Sequence, residues 1–433
     1  MPIIIRAGDP KAFGQIQQLI DRVCVEQDVE PRVRAILDAV RDNGDAAVLE
    51  YTQRFDAATL TANQLRISHA EQSAAEQAVS PDVRAAILGA KNRIEAFHRR
   101  ELQTSWEATP EPGVRYGQIA RPLETIGIYV PGGEAVYPST VLMNAIPARV
   151  AGVARIVLVT PPNAKGRVDP HVLFAASCCG IDEIYRMGGA QAIGALAYGT
   201  ETVPQVDKIA GPGNVYVNVA KRLVYGTVGI DGLAGPSEII VLADGSADPR
   251  LVAADLLSQA EHDLLATAVL ITPSRPLAEA VNKEIERQIR TLSRAEIISE
   301  ALETRGAIIL VDSVDDGIDM ANRLAPEHLE VMVERQDDVV PRLHNAGMIL
   351  IGASTPVAFC DYGAGPTHVL PTGGAARYSS PLSTSDCLKH SNYLEVTSDA
   401  GRRLAETLNP LAMVEGFTAH AAAMHRRKEP RSE

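Results

Sequence analysis

Aromatic side chains are scarce in this chain of 433 residues: Phe, Trp and Tyr together make up 4%, with a single Trp. Its cores must therefore be aliphatic. The hydrophobic share of 46% is mostly Val, Ile, Leu and Ala, the usual filling of buried parallel strands and their covering helices. Cysteine is rare as well. Cys24, Cys178, Cys179, Cys360 and Cys387 are odd in number and none stands in a CxxC pair, which argues against a disulfide framework and fits a reducing cytoplasm. No run of about 18 apolar residues occurs, so no membrane span is expected. The start, MPIIIRAGDP, has no long apolar h-region, so no signal peptide is expected either. Positive charge is in deficit, with Lys+Arg 41 against Asp+Glu 54 and a net charge of −13. That balance speaks against a non-specific nucleic-acid or anionic-membrane partner, because such contacts rest on Lys and Arg. Missing too are H-E-x-x-H, a Walker loop and G-x-S-x-G, and no G-x-G-x-x-G follows a strand.

What is present reads as a multi-domain α/β protein, long enough for two or three cores at roughly 150 residues each. The first 110 residues read as helical, with Val33, Ile36, Leu37 and Val40 on one face until Asp42-Asn43-Gly44 breaks the pattern. Ser80-Pro81 announces a second helix. From about residue 125 short apolar runs alternate with amphipathic stretches. The strands expected are Ile126–Val130, Arg155–Thr160, Glu183–Met187, Asp207–Ala210, Glu238–Ala243, Thr267–Thr272, Ala307–Val311, His328–Val333 and Met348–Ile351. Helices are expected near 191–199, 214–224, 249–263, 276–291 and 314–323. Alternation of this kind means parallel sheet. Strands continue on both sides of the Gly235-Pro236 turn, which is the natural cut between two α/β units. Beyond Gly373-Gly374 the chain reads as a helical tail ending in a charged, frayed RRKEPRSE. Expected divisions are thus a helical region 1–125, an α/β domain 126–236, a second 237–375, and the tail 376–433.

Several local constellations have chemical potential. GIYVPGG (127–133), MGGAQAIG (187–194) and AGPGN (210–214) are Gly-rich turns at strand ends, suited to a phosphate or simply to tight turns. Gln259 and His262 lie three apart on one helical face, either half of a metal site or part of a polar outer face. Pro326 disfavours helix at Ala325, so Glu327-His328 sits at a strand entrance, an acid–base pair or two solvated loop residues. The stretch from Cys360 to Thr372 reads as a long loop, with Asp361 and His368 its functional groups or a cap and an exposed ring. Glu415 and His420 lie in the tail.

Four of these segments occur together and in one order. IDGLAGPSE (230–238) running on to ADLLSQAEH (254–262), then APEHLE (325–330), DYGAGPTHVLPT (361–372) and EGFTAH (415–420) resemble the histidinol dehydrogenase family over essentially the whole chain. The resemblance implies a zinc ion held by Gln259, His262, Asp361 and His420, with Glu327 and His328 as the catalytic pair. It implies that Ser237, His368 and Glu415, together with the zinc ligands and His328, contact the substrate. Tyr129, Gln191 and Asn214 are implied on NAD. The implied activity is two successive NAD-dependent oxidations of L-histidinol, through the aldehyde, to L-histidine. The implied fold is an intertwined homodimer of two incomplete Rossmann-like parallel-sheet domains, the tail being donated to the partner subunit. Thr367 stands where the family more often has Asn, and Cys360 where Gly is common. Two rivals remain: a paralogue oxidising another primary alcohol, such as a sulfonated diol, and a non-catalytic zinc-stabilised binding protein. Glu415, suited to an ammonium group, and the intact THVLPT favour the first reading over the paralogue.

Overall fold

The computed structural model describes residues 2–7, 9, 13–20, 29–133 and 135–427. Cys24 and residues 428–433, where fraying is expected, lie outside the described residues. Among the described residues there are fourteen strands in chain order. They are β1 (Ile3–Arg6), β2 (Trp106–Glu111), β3 (Val114–Pro122), β4 (Thr125–Tyr129), β5 (Arg155–Thr160), β6 (Glu183–Arg186) and β7 (Lys208–Ala210). Then follow β8 (Gly229–Ile230), β9 (Glu238–Ala243), β10 (Thr267–Thr272), β11 (Gly306–Leu310), β12 (His328–Met332), β13 (Met348–Ile351) and β14 (Leu388–Val396).

Two parallel sheets and one antiparallel sheet result. The first parallel sheet has the order β6-β5-β4-β7-β8 and the second the order β1-β11-β10-β9-β12-β13. β8 ends the first and β9 begins the sequence's central contribution to the second, on either side of Gly235-Pro236. In β9 the alternation is strict: Ile239, Val241 and Ala243 pack to one core, Ile240 and Leu242 to another. Helices cover both faces, so an unbroken apolar run is what a strand here requires. Helix Pro249–Ala260 starts on proline behind the cap of Asp248, whose side chain accepts from the Arg250 N–H.

The chain divides into two compact units, residues 1–101 with 124–387, and residues 102–123 with 388–433. Both parallel sheets belong to the first. The second consists of the antiparallel sheet β14-β3-β2 and helices Ser398–Val414 and Thr418–His425. Among the described residues no helix is long and apolar enough to cross a membrane. The described cysteines, Cys178, Cys179, Cys360 and Cys387, are free.

Several sequence expectations need correction. The start is not wholly helical, since β1 and β2 fall within it, and the tail opens with the strand β14. β2 is exposed throughout and β14 nearly so, so neither carries the buried apolar pattern by which a strand is read. The break at Asp42-Asn43-Gly44 is a kink instead, with helix running on through Glu30–Asp56 and only Gly44 at φ 52°, ψ −130°. The Glu201 carboxylate accepts the Asp45 N–H at 2.8 Å and so replaces the bond lost at the kink. The segment from Cys360 is not a plain loop, because Cys360 and Asp361 lie on helix Val357–Tyr362. Helix Pro249–Ala260 stops before His262, which a turn presents beyond its end.

Candidate active site

Two groups of expected residues form at opposite ends of parallel strands. In the first sheet the chain leaves β4 toward β5 on one side and returns to β7 on the other. Such a switch point leaves a crevice beyond the carboxyl ends of the strands. Tyr129 closes β4 and is buried, its hydroxyl accepting the Gly189 N–H at 3.1 Å. Burial pushes its phenol up to about 12. Gln191 lies in the first turn of helix Gly189–Tyr198, is 1% exposed, and has neither amide oxygen nor nitrogen partnered. Gly189 sits at φ +60°, and a Cβ there would come within 2.7 Å of the Gln191 side chain. Asn214 heads helix Val215–Val224, its side chain accepting the Val217 N–H at 3.2 Å. The helices headed by Gly189 and Asn214 pack side by side. Amides of these first turns beyond the two so engaged suit a phosphate, and the Gln191 amide is a buried polar group with no partner among the described residues.

The second group gathers at the amino ends of β9 and β12. Helix Val314–Leu324 ends and Ala325 takes the left-handed conformation, φ 45°, with its N–H on the Ala321 carbonyl. Pro326 then delivers Glu327 and His328 into β12, where both are buried. The Glu327 carboxylate accepts the Glu238 N–H at 2.7 Å. His328 Nδ1 lies 3.2 Å from the Glu238 carbonyl oxygen. A carbonyl only accepts, so Nδ1 carries the hydrogen and the lone pair of the neutral ring is on Nε2. That Nε2 is buried without a hydrogen-bond partner and lies 3.8 Å from the Asp361 carboxylate.

Asp361 also stands 3.9 Å from His262 Nε2. The His262 N–H donates to the Gln259 carbonyl at 3.2 Å, which places the two at one turn. Helix Pro249–Ala260 packs on helix Val357–Tyr362, and Gln259, 1% exposed, has its side-chain oxygen unpartnered. His368 donates from Nδ1 to the Asp361 carbonyl at 2.9 Å and accepts at Nε2 from the Thr140 hydroxyl, 3.3 Å away. Ser237 immediately precedes β9, its carbonyl bound to the Thr267 N–H.

The electrostatics follow from burial and neighbours. Burial pushes the Glu327 carboxyl up, more than the adjacent imidazole pulls it down. Burial alone would lower His328, but the Glu327 carboxylate, the Cys360 side chain and the Asp361 carboxylate outweigh it and hold the ring well above the usual imidazole range. Burial lowers His368 below the usual imidazole range. Behind His328, on the same face of β12, Glu330 is fully buried beside the Asp255 carboxyl, and its oxygens meet no other hydrogen-bonding group among the described residues. Burial and the carboxylate of Asp255 push it up to about 9, while burial raises Asp255 itself to about 6.

Glu415 and His420 belong to the second unit, at the end of helix Ser398–Val414 and on helix Thr418–His425, and both are exposed. The structure thus brings Gln259, His262, Glu327, His328, Asp361 and His368 together in the first unit, while Glu415 and His420 belong to the second. Among the described residues no three His, Cys, Asp or Glu side chains form a metal-holding group. The expected quartet contains an amide and a residue of the other unit, so the first unit alone supplies only His262, Asp361 and the Gln259 oxygen. That mixture of nitrogen and oxygen donors, one of them orphaned and buried, fits a borderline cation such as Zn²⁺.

Sequence reasoning overlooked Thr140, Glu238, Asp255 and Glu330. For Glu238 and Glu330 a signal existed: each is a charge inside an otherwise apolar strand, EIIVLA and HLEVM. Thr140 and Asp255 carry no such mark.

The histidinol dehydrogenase family matches residues 21–428. Histidinol dehydrogenase of Synechococcus sp. is 49% identical over 421 residues, covering 97% of each chain. That of Moorella thermoacetica is 51% identical over 408 residues, 94% of this chain and 96% of the relative. The crystal structure of histidinol dehydrogenase from Elizabethkingia anophelis superimposes with a TM-score of 0.93 at 37% identity, covering 98% of both chains. Matched along nearly its whole length in sequence and in fold, this chain belongs to the histidinol dehydrogenase family of oxidoreductases.

Proposed function

We propose that the chain oxidises L-histidinol to L-histidine in two NAD-dependent steps, through the aldehyde. The observation that carries the reading is the buried, unpartnered Nε2 of His328, aimed toward the carboxylate of Asp361 beside His262. Bound by Gln259, His262, Asp361 and His420, Zn²⁺ would anchor the imidazole and amine of the substrate. NAD, held by Tyr129, Gln191 and Asn214, supplies the hydride acceptor.

The rest is done by side chains. His328 takes the alcohol proton at Nε2 while Nδ1–H stays on the Glu238 carbonyl. That role asks for a neutral ring, whereas Glu327 and Asp361 favour the protonated one; a cation on Asp361 offsets its part of that influence. Glu327, fixed beside His328 with its carboxyl raised by burial, takes a proton from the water that attacks the aldehyde. Ser237, His368 and Glu415 complete the substrate contacts. Thr140 already occupies the His368 Nε2, so a substrate group that bonds there displaces it.

The donors lie on two units, and the second unit exposes Leu411, Met413, Val414 and Phe417 around Glu415. An exposed apolar set of this kind suits an interface, and the reading takes it as the contact through which a partner subunit receives Glu415 and His420 in a cytoplasmic homodimer.

The test is the amount of NADH formed per molecule of limiting L-histidinol with excess NAD. Two equivalents, abolished by a chelator and restored by zinc, are expected. One equivalent would mean that aldehyde oxidation is absent. None, in folded protein that holds zinc, would end the histidinol reading and direct the search to other primary alcohols.

A further inference from the structure

Of Glu238 the proposed chemistry uses only the carbonyl that holds His328 Nδ1–H, yet more of the site's hydrogen bonds end on this residue than on any other just named. It opens β9, a strand otherwise wholly apolar, and is 3% exposed. A carboxylate so placed costs several kcal/mol unless it is bonded at both oxygens. It is. One oxygen accepts the Gly373 N–H at 2.9 Å and the other the Glu327 N–H at 3.3 Å. The backbone of the same residue serves the same neighbours in the opposite sense. Its N–H donates to the Glu327 carboxylate at 2.7 Å, and its carbonyl accepts from His328 Nδ1 at 3.2 Å.

Residues 89 and 135 positions away are thereby held by one side chain. Gly373 directly follows the expected substrate segment 361–372, and Thr372 adds a second tie by accepting the Gly235 N–H. We infer that Glu238 is a positioning residue, a clasp that fixes Glu327 and His328 in one orientation and ties the end of the substrate segment to them. The inference rests on the catalytic roles proposed above for Glu327 and His328.

A carboxylate suits the position for a plain reason. Two backbone N–H groups converge on it, and a carboxylate accepts at both oxygens. Glutamine has one accepting oxygen, and its NH₂ would meet an N–H head-on. Glu238→Gln therefore keeps the volume and leaves either the Glu327 or the Gly373 amide unpaired. The expected loss is in orientation, which acts on kcat, not in cofactor binding, which is formed at the first sheet.

The experiment measures kcat and KM of the zinc-loaded full chain with histidinol and NAD, alongside amide exchange. For Glu238→Gln, kcat should fall about 10- to 100-fold with the KM for NAD within about twofold of wild type. Exchange should quicken at Glu327 or Gly373 while β10 and β11 stay protected. Glu238→Asp keeps the charge but is one methylene shorter, and should recover part of the lost kcat. A kcat within twofold of wild type in folded Glu238→Gln overturns the clasp, as does a KM for NAD rising in step with the loss of kcat. Should neither variant fold, wild-type exchange decides. Matched protection of the Glu327 and Gly373 amides supports the clasp, and a Gly373 amide that exchanges orders of magnitude faster overturns it. If wild type does not turn over histidinol, the proposed function fails, and the exchange comparison still decides the clasp.

Discussion

The two parallel sheets put their functional groups at opposite ends of their strands. In the first, Tyr129, Gln191 and Asn214 lie beyond the carboxyl ends of β4, β6 and β7, and all three are neutral. In the second, Glu238, Glu327 and His328 crowd the amino ends of β9 and β12, and all three carry acidic or basic side chains. The difference has a backbone cause. Carboxyl ends of parallel strands lead into helix N-termini, whose free N–H groups favour a phosphate without any charged side chain. At the amino ends the first N–H of a central strand is not yet committed to the ladder, and here those of Glu238 and Glu327 are spent on carboxylates. One end is therefore suited to gripping an anionic cofactor, the other to moving protons.

Substitutions that separate these two duties test the comparison. The largest effect is expected from His328→Ala, which should lower kcat for alcohol oxidation about 10²- to 10⁴-fold while NAD affinity, followed by fluorescence titration, stays put. Loss of NAD binding in that variant would show that the two regions are not separable. Next comes Glu327→Gln, which should slow aldehyde oxidation by about 10²-fold and alcohol oxidation much less. Equal slowing of both steps would mean that Glu327 serves only through His328. Gln191→Ala should do the reverse of both. Removing one amide from the cofactor crevice should raise the KM for NAD about 5- to 10-fold with kcat unchanged, and a fall in kcat alone would contradict the assignment.

The smallest effect concerns stability. Glu330 is raised from 4.5 to about 9 by burial and by Asp255. The folded chain thus holds this proton more tightly than the unfolded one. Its contribution to stability is complete at pH values below about 4.5, declines as pH rises, and levels off only above about 9. Glu330→Gln removes that decline. The stability difference between variant and wild type should shift in the variant's favour by about 1–3 kcal/mol from pH 5 to pH 8, measured by denaturant unfolding. A difference that does not vary with pH would mean that Glu330 is not a protonated buried acid.

Much of the second sheet was readable from residue order. Glu238–Ala243, Thr267–Thr272 and Met348–Ile351 coincide with β9, β10 and β13, because strands covered on both faces must be apolar throughout. Pro326 foretold the strand entrance that bears Glu327 and His328. The left-handed Ala325 that aims them was not foretold, since alanine carries no mark of that conformation. Nor were β2, β3 and β14. They are mostly exposed, and β14 finds its register on β3 only across a chain separation of more than 250 residues. Asp361 was placed by motif, but its helix was not, being a single short turn-and-a-half held by packing on Pro249–Ala260.

By itself the sequence determined the fold class, through the period of its apolar residues, and the family, through four motifs in a fixed order. Through the resemblance it also implied Glu327 and His328 as the catalytic pair and Gln259, His262, Asp361 and His420 as donors, which stand as proposals. What only tertiary structure decided is which atom of each residue is free to act. Nε2 is the nitrogen of His328 left to exchange a proton because the Glu238 carbonyl claims the other. Burial, and then Asp255 facing it, push the Glu330 carboxyl up to about 9, and the Gln191 amide is available because no group among the described residues partners it. Hydrogen-bond saturation and desolvation are properties of neighbours brought together from far along the chain, and no local pattern encodes them.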